Sequence, residues 1–230
     1  MVAKNSLRIS VCAPYWTRQP ALDRMVEQYG RLYPDLDVEL SVCDDGSPKP
    51  AMAPPHVLLT RLPTKSHPLN PCVPINRAVE ASSGEVIVLT NPEIEHRESV
   101  LPAMLAMLEH EDDYVTARCW DERWNLLLAG DGVRYDKYGR RPVPPGAHFH
   151  FLAMFHRSLW ERAGGFDEEY RHGAACDDGD WLWRAHRAGA RFKTCPLTVY
   201  HDSSVRLKWN LPHNSELFAR KWPNAKWEQP

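Results

Sequence analysis

The segment EVIVLTNPEIEH, from Glu85 to His96, joins an apolar run to a polar loop. A near-continuous apolar run of this length is typical of a strand buried on both faces of a parallel sheet. The run is followed at once by Asn91, Pro92, Glu93 and Glu95, so carboxylates stand where a plain turn would be enough. The segment therefore predicts an α/β sheet with reactive side chains at the carboxyl end of this strand.

The rest of the first 120 residues repeats a strand–helix pattern around this segment. Strand-like runs occur at 7–13, 38–42, 56–60 and 114–119, and helical spacing of apolar residues occurs at 20–33, 74–83 and 98–110. This alternation predicts a doubly wound, mostly parallel sheet flanked by helices. Ligands bind such sheets at the carboxyl ends of the strands, where Asp44, Asp45 and Glu93 are expected.

The second half has strand-like runs at 148–156 and 191–200 and helical patterns at 158–163 and 178–188. The segment from Gly130 to Gly146 is rich in Gly and Pro and is predicted to be a loop. We expect one domain over residues 1–204, with two halves at about 1–120 and 121–204. Residues 205–230 form a tail.

Composition narrows the class of protein. The 230 residues are 43% hydrophobic with a formal net charge of −2, so nucleic acid is an unlikely partner. No apolar run approaches the roughly 20 residues that a transmembrane helix needs. The six cysteines are scattered without metal-binding or disulfide-type spacing. We expect a cytoplasmic protein with reduced thiols, and association with a membrane surface remains open.

An ordered set of motifs resembles the family 2 glycosyltransferases of the GT-A fold. The motifs are ISVCAPYW, VCDDGS, NPCVPINRAVEASSGEVIVLTNPEIEH, FHRSLWERAGGFDEEY, DDGDWLWRAHRAGARF and VYHDSS, which together span about residues 8–204. The resemblance implies a hexosyltransferase that uses a nucleoside-diphosphate sugar, with a UDP-sugar favoured. Glycans and lipid-linked glycans are the commonest acceptors in such families, so the resemblance implies one of these. In a catalytic domain of this kind, the half at about 1–120 would bind the nucleotide sugar and the half at 121–204 the acceptor.

The resemblance also implies which residues hold the nucleotide. Tyr15 would stack on the base, with Pro14 beside it, and Asp45 would accept a hydrogen bond from the base. Further polar contacts to the donor are implied for Asn70, Asn76, Arg77 and Asn91, although the glycine usual after the second of these asparagines is missing.

A divalent metal, Mn²⁺ or Mg²⁺, is implied beside the diphosphate. Members of the family usually end this strand in Asp-x-Asp, whereas this chain has Asn91-Pro92-Glu93. Glu93 takes the place of the last acid, and His201 in VYHDSS matches a late family histidine. Glu93 and His201 are therefore the predicted metal ligands, and the loss of the first acid puts the affinity for the metal in doubt.

Asp177, Asp178 and Asp180 crowd the start of a predicted helix. Acids at this position can simply cap a helix, but mutual repulsion also raises a carboxyl pKa, as a general base requires. The family usually has Glu-Asp here, with the second acid as base. The resemblance thus implies Asp178 as catalytic base in an inverting transfer, and Asp177, Asp180 and Trp181 as contacts to the acceptor.

Two other functions are compatible with parts of the sequence. A relative that binds a nucleotide sugar or glycan without catalysis would explain the missing acid. A sugar nucleotidyltransferase is disfavoured, because APYWTRQP lacks the Gly-rich loop that those enzymes carry after the first strand.

Overall fold

The computed structural model of the chain describes residues 7–66, 70–121, 126–128, 141–142, 150–202, 212–223 and 227–228. Its strands are β1 (Ile9–Tyr15), β2 (Val38–Asp44), β3 (Val57–Arg61), β4 (Val86–Thr90), β5 (Ile94–Glu95), β6 (Asp113–Asp121), β7 (Leu126–Leu128), β8 (Arg141–Pro142), β9 (Leu152–His156), β10 (Arg191–His201) and β11 (Trp227–Glu228). Its helices are α1 (Gln19–Leu32), α2 (Cys72–Ala81), α3 (Leu101–Met107), α4 (Arg157–Ala163), α5 (Asp177–Arg187) and α6 (Pro212–Lys221), with a 3-10 helix at Glu168–His172.

Within the described ranges, the main sheet has the order β3-β2-β1-β4-β9-β6-β10-β5, and β7 pairs with β6. Strands β3, β2, β1 and β4 are parallel, as are β6 and β10. This arrangement confirms the predicted α/β class. Strand β9 runs antiparallel between β4 and β6, which the sequence did not predict.

The sheet is buried on both faces by two apolar clusters. Every residue of β4 is buried, which agrees with the unbroken apolar run from Val86 to Leu89. On one face, Val11, Ala13 and Tyr15 pack in the first cluster with α1 and α3. On the other face, α2, α4 and α5 cover the sheet, with Trp160 and Trp181 in the second cluster.

Helix α1 shows how the local sequence positions an element. Pro20 lies in its first turn, where the missing N–H has no intrahelical partner to lose. Its buried residues Leu22, Met25 and Tyr29 recur at spacings of three and four, so one stripe of the helix faces the sheet. The helix starts three residues after β1, which keeps its first turn at the carboxyl edge of the sheet.

The state of the cysteines and the length of the helices bear on two expectations from composition. All six cysteines are free thiols, and five of them are buried. None of the helices in the described ranges combines the length and apolar character needed to traverse a bilayer. Of the predicted loop 130–146, only residues 141–142 are described, where β8 pairs with β11; the rest of that loop lies outside the described residues.

Candidate active site

The carboxyl ends of three neighbouring strands define the site. Strand β1 lies between β2 and β4 and is parallel to both. The polypeptide leaving β1 carries Trp16 and Arg18, the loop after β2 carries Asp45, and the loop after β4 carries Glu93. Because parallel strands end at the same edge of a sheet, these residues lie along one rim.

Asp45 is held in a tightly built turn. Its Oδ1 accepts a hydrogen bond from the backbone N–H of Ser66 at 2.8 Å, and Lys65 Nζ lies 3.4 Å from its Oδ2. Gly46 next to it has φ of +66°, and a Cβ there would come within 2.3 Å of the Thr64 backbone. Only glycine therefore lets the 64–66 segment close over Asp45.

The aromatic residue at this rim is Trp16 rather than the predicted Tyr15. Tyr15 is 4% exposed and packs in the core, so its ring does not stack on a ligand in this conformation, and its predicted role is wrong. Trp16 is 43% exposed, and Lys65 Nζ lies 3.9 Å from its ring centroid. The alternation of side chains along β1 could have shown this, because Tyr15 lies on the same face as Val11 and Ala13, which pack in the first cluster.

The predicted metal ligands come together through the short strand β5. Ile94 of β5 pairs with His201 of β10, and the N–H of Asp202 donates to the Glu93 carbonyl at 3.2 Å. The Glu93 carboxylate, however, forms an ion pair with Arg18, with Nη1 2.9 Å from Oε1. Among the side chains that the structure describes, no group of three His, Cys, Asp or Glu residues is arranged to hold a metal ion.

Pro14 and Asn91 remain at the rim. Pro14 is half-buried near the end of β1, and the half-buried Asn91 opens the turn after β4, where its carbonyl accepts from Ile94 N–H at 3.1 Å. Their contacts to a donor stay predictions.

The acidic cluster sits on a strained turn at the start of α5. Ala175 and Cys176, immediately before Asp177, have φ of 62° and 68°. Left-handed backbone at residues other than glycine costs on the order of 1–3 kcal/mol each and is concentrated at functional sites. Asn214 of α6 stabilises the turn, since its Nδ2 donates to the carbonyls of Tyr170 at 2.9 Å and Ala175 at 2.8 Å.

Asp177 and Asp178 occupy different surroundings. The Asp177 carboxyl is buried, whereas the Asp178 side chain is 42% exposed and lies 3.4 Å from Nε2 of His150. Burial raises the pKa of the Asp177 carboxyl group, and the negative charge of Asp178 raises it further. Burial also lowers the pKa of His150 to about 4, so this imidazole is neutral at neutral pH.

Several buried polar atoms around the pair lack partners. Asn70 lies close enough to Asp177 to lower the pKa of that carboxyl, yet no well-aligned hydrogen bond forms between them. In the described part of the chain, Asn70 Nδ2, Asp177 Oδ2 and His150 Nδ1 have no hydrogen-bond partner. Buried polar groups are normally paired, so these unpaired atoms single out the surroundings of Asp177 as a candidate site.

Two short segments connect the Asp177–Asp178 pair to the rim. Ser66 contacts Asp45, and Asn70, which lies beside Asp177, is only four residues further, a span of at most about 14 Å. His150 contacts Asp178, while the adjacent Phe151 packs against His201 with ring centroids 5.4 Å apart. The acidic pair therefore lies at the same edge as Asp45 and Glu93.

Two predicted contacts to the acceptor are wrong. Both carboxylate oxygens of Asp180 are buried, with Arg184 Nε at 2.7 Å and Trp222 Nε1 at 2.8 Å, so Asp180 joins α5 to the end of α6. Trp181 is fully buried against Trp160 and Phe166 and offers no surface to a sugar.

Asn76 and Arg77, predicted to contact the donor, have structural partners instead. Asn76 Nδ2 donates to the Phe166 carbonyl at 2.9 Å, and its Oδ1 accepts from Phe166 N–H at 2.8 Å, so it holds the Gly-Gly-Phe turn against α2. Arg77 forms ion pairs with Glu80 and Glu168 on an outer face of α2. Asn76 is therefore a structural residue of this turn, and the contact of Arg77 with the donor stays a prediction.

Comparisons with known proteins support the fold. No protein-family model and no curated protein sequence matches the chain. Among solved structures, S. aureus TarS matches with a TM-score of 0.69 at 16% identity, over 97% of this chain and 41% of TarS. The Pyrobaculum calidifontis mannosyltransferase PcManGT, solved with GDP-Man and Mn²⁺, matches with a TM-score of 0.66 at 19% identity, over 96% of this chain and 66% of that one.

A shorter form of TarS, residues 1–349 with UDP bound, matches with a TM-score of 0.67 at 16% identity and covers 97% of this chain and 68% of that form. This chain thus spans 41% of full-length TarS and about two thirds of PcManGT and of the shorter form of TarS. At these identities the comparisons show that the chain shares the fold of these glycosyltransferases.

Proposed function

We propose that the chain is a glycosyltransferase that moves a sugar from a nucleoside-diphosphate sugar to an acceptor hydroxyl, on a free or lipid-linked glycan. The observation that carries the proposal is the Asp177–Asp178 pair beside His150, which lies at the same sheet edge as Asp45 because β9 begins where β4 ends. The shared fold adds support, since UDP and GDP-Man are bound in two of the similar structures.

The nucleotide contacts are assigned to the rim. Trp16 offers an exposed ring for base stacking. The adjacent Asp45 carboxylate is buried and holds Ser66 N–H and Lys65, so its hydrogen bond to a base N–H stays a prediction. Lys65 lies against both side chains and keeps them in one arrangement.

Asp178 is assigned as the general base because its carboxylate is accessible and lies beside the buried acid Asp177. It removes the proton of the acceptor hydroxyl as that oxygen attacks the anomeric carbon. The bond from this carbon to the diphosphate breaks, and the electron pair leaves with the diphosphate. Attack from the face opposite the leaving group inverts the anomeric configuration. Asp177, buried beside it, positions the same hydroxyl.

The residues at the rim do not fit a metal ion. Glu93, the acid predicted to bind it, is paired with Arg18, and the described side chains near it form no three-ligand group. No step of the proposed reaction is therefore routed through a metal.

The decisive experiment measures release of nucleoside diphosphate from a panel of UDP- and GDP-sugars with candidate glycan acceptors. We expect Asp178→Asn to lower kcat by about 10²–10⁴-fold, the usual contribution of a general base. Asp35→Asn is the matched control, because Asp35 is exposed in the loop between α1 and β2. Turnover by Asp178→Asn at the wild-type rate, or retained anomeric configuration in product NMR spectra, contradicts the assignment.

A further inference from the structure

We infer that Arg18, oriented by Glu93, binds the diphosphate of the donor, so that donor binding does not depend on a divalent cation. This inference rests on the proposed function and assigns the positive charge that its leaving group needs. It also changes the role of Glu93 from metal ligand to positioning residue.

The backbone holds Arg18 in a defined place. Thr17 before it has φ of 58°, a left-handed conformation that β-branched residues rarely adopt, and Thr17 N–H donates to Ser47 Oγ at 3.1 Å. The Arg18 carbonyl accepts from the N–H groups of Ala21 and Leu22 in the first turn of α1. Arg18 is thereby tied to the loop after β2 on one side and to α1 on the other.

The guanidinium has donors left for a second partner. Its Nη1 lies 2.9 Å from Glu93 Oε1, and Glu93 is the one acidic partner of the Arg18 side chain among the described residues. A guanidinium carries five N–H donors in a planar fork, so one edge can hold a carboxylate while the other binds phosphate oxygens. The Arg18 side chain is 32% exposed and that of Glu93 17%, which leaves the cation more accessible than its partner.

The charges at the rim argue against a divalent metal ion in addition to Arg18. The chain has the neutral Asn91 where a first acid is expected, so Glu93 is the acid left in the turn after β4 before Ile94. Asp202, next to His201, is also within 3.8 Å of an arginine, Arg24 of α1. A divalent ion at Glu93 would have to displace Arg18 and then remain close to its positive charge.

Arg18 fits the chemistry of the leaving group. Negative charge grows on the diphosphate as the bond to the anomeric carbon breaks, and a preorganised guanidinium stabilises charge that appears in the transition state. Trp16, two residues earlier in the same segment, is the proposed stacking surface for the base. One loop would therefore contact both ends of the nucleotide.

The test is isothermal titration of UDP and GDP into the protein, once with EDTA and once with Mn²⁺. For the better-binding nucleotide, we expect wild-type Kd values within about twofold of each other in the two buffers. Arg18→Gln should weaken binding at least tenfold in both, and Arg18→Lys should weaken it less. Arg31→Gln, exposed in the last turn of α1, should bind as the wild type does.

Glu93→Gln separates the two roles of Glu93. As a positioning residue, its loss weakens binding in EDTA, because Arg18 loses its orienting partner. As a metal ligand, Glu93 would instead give binding that requires Mn²⁺ and a Glu93→Gln effect confined to the Mn²⁺ buffer. That result, together with normal binding by Arg18→Gln, overturns the inference. It leaves the transferase proposal intact. Absence of UDP and GDP binding in both buffers, with no turnover of any donor, overturns the transferase proposal itself.

Discussion

His96 is a buried histidine close to the rim, and its protonation state matters for stability. Its ring Nδ1 hydrogen-bonds with Tyr33 Oη, and its ring Nε2 lies 3.5 Å from Tyr29 Oη. The backbone N–H of His96 donates to Gln28 Oε1 at 2.9 Å. Burial lowers the pKa of His96 to about 3. The native protein therefore keeps this ring neutral over a pH range in which the unfolded chain protonates it.

The sign of the resulting pH dependence follows from proton uptake. Between pH 6.5 and about 3 the unfolded chain binds one more proton at His96 than the native protein does. As the pH is lowered through this window, the free energy of unfolding should fall by up to about 1.4 kcal/mol per pH unit through His96 alone. His96→Gln should flatten that slope in urea titrations from pH 7 to pH 4, with His110→Gln, on the exposed surface, as control. An unchanged slope in His96→Gln would contradict the assignment.

At the scale of the element, α6 supports the start of α5. Asn214 is fully buried, and it bonds to the carbonyls of Tyr170 and Ala175 on the strained turn before Asp177. A Cβ at Gly173 would approach Asn214 Oδ1 to 2.5 Å, so glycine is needed where the turn passes the helix. The acidic pair thus depends on a helix that lies more than thirty residues later in the chain.

We expect Asn214→Ala to lower kcat by about tenfold or more, because the turn that aims Asp177 and Asp178 loses two hydrogen bonds. The Kd of the nucleotide should stay unchanged, since Trp16 and Asp45 belong to other loops. Glu216→Gln, exposed on the same helix, is the control. Turnover and nucleotide titration measured on both variants check this, and an equal loss of kcat and nucleotide affinity would point to general destabilisation instead.

At the scale of the whole molecule, the residue that follows α6 packs on α5. Trp222, directly after α6, donates to Asp180 and stacks with Trp183, and Arg187 lies 4.3 Å from its ring. Asp180 also receives Arg184 Nε at 2.7 Å. One buried carboxylate therefore connects α5 with the end of α6, and we expect the chain to unfold as one unit.

Asp180→Ala should lower the free energy of unfolding by about 3 kcal/mol, because it leaves the buried N–H of Trp222 and the partly buried Nε of Arg184 without their acceptor. Urea denaturation followed by tryptophan fluorescence measures this, and a single transition is expected in both proteins. Asp23→Asn, exposed on α1, is the control. Two separate transitions in the wild type would contradict unfolding as one unit.

The strand–helix order and the buried strand β4 could be predicted from the sequence because they depend on local periodicity. The positions of Asp45, Glu93 and Asp177–Asp178 at strand or helix ends could be predicted for the same reason. Trp16 was missed, and Tyr15 chosen, because one step along a strand reverses the direction of a side chain. Asp180, Trp181 and Asn76 were misassigned because partners that hold them lie far away in the chain, at Trp222, Trp160 and Phe166.

The sequence by itself determined the α/β class, the order of the elements and the acids that end them, since hydrophobic spacing and turn residues act over a few neighbours. Only the tertiary structure decided which acids stay accessible. Pairing of β5 with β10 set Glu93 beside His201, and the bend after β1 brought Arg18 onto Glu93. Contacts between residues distant in sequence are formed only when the elements pack, and they determine whether a carboxylate is a base, an ion-pair partner or a buried link.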